Sequence, residues 1–332
     1  MKAKTMKIPA ITGIFLLGLL LQSCQTAPSV PLRSREESIP VDAVKLDPAD
    51  DPWPPLAAEG WSTPQPLPGP INTAGAEDSP FLSEDGEWFF FVFIPDLSVP
   101  PQEQLFDGAT GIWAAHRDGD SWGEPARVLL SRSGVPSLDG CPTLFENELY
   151  FCSARAGNQR NIDIYLADWQ AGEAENWRTA GQEFNADYEV GELHISPDGQ
   201  WMVFASQRAG GLGGYDLWIS NWIGTGWGEP ANLGPSVNSA GDENRPYLSP
   251  DGQSLWFDGI SRKGLPGPAI FRAERLADGR WGEAQEVISQ FAGEPTLSVD
   301  GQSIYFVHHY FNADLSAPLE SDIYVSYRVS AE

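Results

Sequence analysis

A short turn signature returns along this chain and narrows its possible folds more than any other feature. It reads Leu-Ser-Glu-Asp-Gly from Leu82, Ile-Ser-Pro-Asp-Gly from Ile195, Leu-Ser-Pro-Asp-Gly from Leu248 and Leu-Ser-Val-Asp-Gly from Leu297. A shortened copy, Leu144-Phe145-Glu146-Asn147, makes five. In the Pro-Asp-Gly form Pro pre-sets its backbone angle and Gly supplies a positive φ, so each copy reverses the chain between two strands. An aliphatic-aromatic pair follows each turn: Ile112-Trp113, Ile164-Tyr165, Leu217-Trp218, Ile270-Phe271 and Ile323-Tyr324. A Trp tag marks a further strand at Trp61, Trp122, Trp177, Trp227 and Trp281. One repeat is therefore a four-stranded antiparallel sheet, which cannot bury both faces without neighbours.

The order of the tags predicts how the array ends. The first Trp tag precedes the first turn, and none follows the last aliphatic-aromatic pair. If the sheets close into a ring, the segment around Trp61 becomes the outer strand of the final sheet, and no edge is left open at the seam. The expected fold is all-β: a five-bladed β-propeller of four-stranded antiparallel blades, closed by an N-terminal strand that completes the last blade. It uses residues 53–332 as one domain. Thirteen Trp, 34 Gly and 28 Pro suit many short strands and tight turns. The formal net charge of −26 argues against nucleic acid and against direct adhesion to anionic lipid.

Taken together, the Pro-Asp-Gly turns, the Ser-x-Arg-x-Gly-Gly stretch at Ser206–Gly211, Asp216-Leu217-Trp218 and Trp227-Gly228-Glu229-Pro230 resemble the WD40-like Pro-Asp repeat. That repeat builds TolB-type propellers and many bacterial envelope lipoproteins, and the resemblance spans roughly residues 55 to 328. It implies architecture rather than chemistry.

Residues 1–24 have the form of a targeting segment: Lys2, Lys4 and Lys7, then an apolar run from Ile11 to Leu21, too short to span a bilayer. Leu21-Gln22-Ser23-Cys24 resembles a bacterial lipobox, which implies lipidation at Cys24 and attachment to the cell envelope. By analogy with sorting in related systems, Gln25 implies the periplasmic face of the outer membrane. Residues 25–52, rich in Pro, Ser and charge, read as a flexible tether. If Glu146-Asn147 is a two-residue turn, Cys141 and Cys152 face one another across a hairpin in an oxidising compartment. That register makes them a hydrogen-bonded pair, an awkward geometry for a disulfide. A bond and two buried thiols both stay open.

Antiparallel strands sort the loops onto two faces. Entering the innermost strands on one face are Glu77, Asp78, Asp139, Glu189, Glu192, Glu243 and Glu294; leaving the second strands there are Arg155, Arg208 and Arg262. This face is the candidate ligand-binding face. The recurrence of Arg with a carboxylate from copy to copy reads first as a lock between neighbouring sheets, although such pairs also shape a channel mouth. Departures from the repeat fall on the same face: an insertion at 94–108 in the first copy and His308-His309 in the fifth, of which only one can face the channel. His309 is the candidate. No His-Glu-x-x-His or phosphate loop occurs, and no cofactor or metal is implied. The expected function is that of a monomeric, lipid-anchored envelope protein. It would bind a protein or peptide partner, or cell-wall glycan, through this face and perform no chemistry. The alternative is a glycan-active hydrolase using two funnel carboxylates.

Overall fold

A computed structural model describes residues 31–131, 135–181, 184 and 190–329. The targeting segment with Cys24 and the candidate Glu189 lie outside the described residues. The chain is a five-bladed β-propeller. Blade 1 uses Ala76–Leu82, Trp88–Ile94, Gly111–Asp118 and Ala126–Arg127. Blade 2 uses Ser137–Phe145, Glu148–Arg155, Asp163–Gln170 and Glu173–Thr179. Blade 3 is built from Val190–Ile195, Trp201–Ser206, Asp216–Asn221 and Ala231–Asn232. Blade 4 contains Glu243–Leu248, Ser254–Ile260, Pro268–Glu274 and Gln285–Ser289. Blade 5 takes Ala292–Leu297, Ser303–Phe311 and Pro318–Tyr327.

The seam closes as the tag order predicts. Gln65–Pro66 pairs with Tyr324 and Val325 as the outer strand of blade 5, and Trp61 bridges to Arg328. Leu56–Ala57 also pairs with Ile288 and Ser289, giving blade 4 a fifth strand. The N-terminal region thus seals two edges, because an unpaired strand edge would otherwise invite association with another chain.

The turn signature works through its side chains. Ser83, Ser196, Ser249 and Ser298 each donate a hydroxyl to the Asp two residues on, at 2.5–2.6 Å. Each hydroxyl oxygen in turn accepts the amide that opens the second strand. The following Gly takes φ between 64° and 74°. In the shortened copy Glu146 carries the positive φ instead. Between the blades both strand faces are buried: Phe90, Val92 and Ile94 join one apolar cluster and Phe89, Phe91 and Phe93 another. A fully buried Phe is worth about 1.5–3 kcal/mol, so this strand anchors blade 1 to both neighbours.

The segment expected to be a flexible tether is instead seated on the ring over much of its length. We call residues 33–53 the strap; it runs over the loop-bearing face of blades 1 and 5. Arg33 N donates to Gly108 O, Lys45 Nζ bonds Glu320 and Asp322, and Asp51 meets His308 Nε2 at 2.8 Å. Its composition is polar, but single side chains plug defects in the ring. Blades 2, 3 and 4 each lay their own arginine over the blade aromatics: Arg155 on Phe151, Tyr165 and Trp177, Arg208 on Phe204 and Trp218, and Arg262 on Phe271. The first copy has no such arginine, and Arg35 from the strap takes the place, over Phe91, Phe93 and Trp113.

Candidate functional site at the propeller axis

Each innermost strand contains a register shift in which two of its residues oppose one on the second strand. In four blades the second residue of the pair is proline: Ser79-Pro80, Cys141-Pro142, Arg245-Pro246 and Glu294-Pro295. Proline cannot donate to the ladder, and the bulge leaves it outside the pairing. The residue before it takes φ between 51° and 57° in blades 2, 4 and 5 and 50° in blade 1. In blade 3 the sequence-equivalent residue is Glu192, followed by Leu193. Ser79, Cys141, Glu192, Arg245 and Glu294 therefore turn inward and line the axial channel, with the four prolines, Thr143, His194 and Tyr247 around them. The cavity at this point is about 40 Å³, room for water-sized groups.

Arg245 organises the charges. Its Nε lies 3.3 Å from Glu192 Oε1 and 2.6 Å from Glu294 Oε1, and its Nη1 lies 3.3 Å from Asp258 Oδ2. Oxygens 3.3 and 2.6 Å from one nitrogen can be no more than 5.9 Å apart. Asp258 also accepts the Glu294 amide at 2.9 Å, which joins blades 4 and 5. Burial pushes Glu192 and Asp258 upward in pKa and Glu294 well above the usual carboxylate range, against the pull of Arg245. Burial also opposes the charged form of Arg245, but Glu192, Glu294 and Asp258 outweigh it and raise its pKa. Asp78 contributes to the field on all of these groups. His309 belongs here too: burial lowers its pKa to about 4, while Asp78 opposes and Arg245 assists. Its neighbour His308 points the other way, into Tyr310 and Tyr324.

The other candidates are distributed differently. Arg155 meets Asp139 at 2.6 Å and Arg262 lies 3.7 Å from Glu243, each pair within one blade. These arginines lock a blade's own strands, whereas Arg245 at the axis reaches out to Glu192 of blade 3 and Glu294 of blade 5. Glu77 and Glu243 share one construction, in which the carboxylate accepts the amide and hydroxyl of the residue four before it, Thr73 or Ser239. Burial pushes Glu77 up to about 8 and raises Glu243 as well. Both close local loops and stand away from the axial cluster. Arg208 bonds Ser206 Oγ at 3.4 Å beneath the Gly-rich loop. That loop needs its glycines for close approach, since a Cβ on Gly213 would sit 1.9 Å from Gly241 O. Cys141 and Cys152 form a disulfide with Cα atoms 5.4 Å apart. The bulge sets Gly140 opposite Cys152, so the bond runs diagonally and not across a hydrogen-bonded pair. Among the described residues no set of three His, Cys, Asp or Glu side chains converges to hold a metal ion.

The residues that sequence reasoning missed are Arg245, Asp258 and the strap's Arg35, Lys45 and Asp51. For Arg245 a signal existed: proline in an innermost strand marks the bulge, and the residue before it faces the axis.

No family model matches the chain, and no curated protein matches it. Solved structures do. The catalytic domain of a GH62 α-L-arabinofuranosidase from Coprinopsis cinerea matches with a TM-score of 0.50 at 12% identity, over 80% of this chain and 95% of that one. A thermostable family-43 glycoside hydrolase matches with a TM-score of 0.49 at 12% identity, over 80% and 93%. TolB from Acinetobacter baumannii matches with a TM-score of 0.44 at 14% identity, over 78% of this chain but 56% of that one. At these identities what is shared is the fold. The expectation that the chain performs no chemistry is nonetheless corrected: its structural neighbours include the catalytic domain of a glycoside hydrolase, so the fold gives no ground for excluding catalysis.

Proposed function

We propose that this protein is a glycan-active hydrolase working at the mouth of the axial channel, with Glu294 as general acid and Glu192 as the second carboxylate. One observation carries the reading: two carboxyl groups no more than 5.9 Å apart, both shifted upward by burial, Glu294 the further of the two and Glu192 the more exposed. Glycosidases need such a pair with its proton affinities set apart. A spacing of about 5–5.5 Å suits a nucleophile and an acid, whereas roughly 6.5–9.5 Å is needed to admit a water between them. Glu192 would attack the anomeric carbon while Glu294 protonates the departing oxygen; water would then release the sugar with retained configuration. A 40 Å³ cavity admits no sugar ring, so the scissile bond would lie at the rim and a chain terminus would be the substrate. With Cys24 as the lipidated residue, the enzyme would be held at the cell envelope beside cell-wall glycan.

A second reading, capture of an envelope protein or peptide on the same face, is favoured by exposed apolar side chains there. Leu212 on the Gly-rich loop and Ile260 at the end of the second strand of blade 4 both face solvent around the close-packed 239–241 segment. The test is turnover of aryl glycosides of arabinose, xylose, glucose, galactose and N-acetylglucosamine by the full chain, with Glu294→Gln and Glu192→Gln alongside. Turnover with retention, reduced at least ~100-fold in both variants, supports the hydrolase. Absence of turnover on the whole panel, or activity that survives both substitutions, sinks it.

A further inference from the structure

The off-axis rim of blade 5 carries a feature that the axial chemistry does not use. Glu320 and Asp322 open the third strand of this blade, are 5% and 0% exposed, and converge on one ammonium, Lys45 Nζ. The strap meets them as an extended peptide would meet a receptor. Leu46 N donates to Glu320 Oε2 at 3.0 Å, and the Leu46 side chain packs against the main apolar cluster. Asp322 is buttressed from behind by Tyr310 Oη at 3.3 Å, itself 2.6 Å from Tyr324 Oη.

Blades 2 and 3 show what these carboxylates do elsewhere. Asp163 accepts the amides of Gln159 and Arg160, and Asp216 those of Leu212 and Gly213, so each is satisfied by its own loop. In blade 5 the equivalent Asp322 is satisfied from outside the blade, by a lysine more than 270 residues away in sequence. The seat is also loosely filled. Val44 stands 78% exposed beside Lys45, and a groove of about 390 Å³ runs between the strap and blade 1, lined by Ala43, Leu46, Ala76, Leu97 and Leu319 among others. One wall of that groove is the strap itself, at Pro40, Asp42, Ala43, Val44 and Leu46, so its volume measures how loosely the strap sits. The groove's polar lining is acidic, with Asp42, Asp96 and Glu320 and no basic residue.

We infer that this rim is a binding site for an extended peptide of the pattern Lys-aliphatic, occupied in the free protein by its own Lys45-Leu46. Recognition would combine a lysine ammonium on two buried carboxylates, one backbone amide on Glu320 and an aliphatic side chain against the blade. A partner segment with these groups would exchange with the strap, and the strap would act as a built-in competitor. The inference stands apart from the hydrolase reading, because none of its residues lines the axial channel.

The test uses the full chain and a fluorescent peptide of sequence Val-Asp-Ala-Val-Lys-Leu-Asp-Pro, which copies residues 41–48. Lys45→Glu sets a carboxylate against Glu320 and Asp322 and so drives the strap out of its seat. The peptide is expected to bind this variant at least ~10-fold more tightly than the wild type, since a seat filled in cis lowers apparent affinity by the fraction left open. Binding should disappear when the peptide lysine is replaced by norleucine, or when Glu320→Gln is added to the variant. A folded Lys45→Glu protein that ignores the peptide overturns the inference, as does equal binding of the norleucine peptide. If that variant does not fold, hydrogen exchange on the wild type decides. Excess peptide must speed exchange at the Leu46 amide, and an unchanged rate refutes exchange at this seat.

Discussion

Replacing Arg35 with alanine tests whether the strap belongs to the cooperative fold. The Arg35 side chain is 2% exposed, donates to Ile71 O at 2.8 Å and to Pro70 O, and stacks over Phe91, Phe93 and Trp113 at 5.4–5.7 Å. It also lies 3.6 Å from Glu77, which is fully buried. Stripping a cation from a buried ion pair commonly costs about 3–5 kcal/mol because a charge is stranded. Here that penalty is largely avoided, since burial lifts Glu77 to about 8 and its carboxyl is mostly protonated at neutral pH. What remains is two buried carbonyls losing a charged donor, about 1–1.5 kcal/mol each, and the stacking, about 1 kcal/mol. The expected loss is therefore about 3–4 kcal/mol. For a chain of this size that corresponds to a fall in Tm of roughly 4–6 °C. Differential scanning calorimetry on Arg35→Ala measures it, with exposed Arg33→Ala as the control. A fall below about 1 °C would mean that the strap melts independently of the ring, and the account of blade 1 given above would be wrong.

Two further outcomes follow from the buried groups. Glu77 has a folded pKa raised from 4.5 to about 8, so the folded state holds its proton more tightly than the unfolded chain; the resulting stability is present below pH 4.5 and lost as pH rises through 8. Glu77→Gln should remove that alkaline loss, gaining stability relative to wild type at pH 9 but not at pH 4.5, and urea titrations at the two values that show the same difference would refute it. Replacing Cys141 and Cys152 by alanine opens a cross-link of sequence separation 11, for which chain entropy predicts a loss of about 3 kcal/mol; a urea midpoint unchanged from wild type would show that the bulge alone fixes blade 2.

The parts of this fold that were legible in sequence are those set by local rules repeated five times. The Ser-x-Asp-Gly turns, the third-strand aromatics and the displaced first Trp tag each required a few neighbouring residues, and together they fixed blade number and closure. The axial ring was half legible. Glu192 and Glu294 stood out as acids entering inner strands, but Arg245 was passed over because its role depends on a bulge. The proline at 246 announces that bulge only if the strand is already known to be innermost. Asp258 sits in the middle of a second strand, where sequence offers nothing to separate it from a solvent-facing acid. The strap was misread for a different reason. Composition averages over a segment, whereas Arg35, Lys45 and Asp51 act singly, each on a gap left by a distant blade. The gaps themselves were visible, as the missing Ser-x-Arg in the first and fifth copies.

The inward bulges have a further implication for how such a protein changes over time. Around the axis stand Ser79, Cys141, Glu192, Arg245 and Glu294, one letter from each blade, and in four of the five blades the backbone pose of that letter is held by the proline after it. Swapping a letter keeps the proline and the bulge that pose it, but the five are not equally free: Cys141 is tied to Cys152, and Arg245 is tied to Glu192 and Glu294 of its neighbours. A change at the pore lining therefore alters what is offered to a ligand and, at Cys141 or Arg245, the bonds that hold the ring as well.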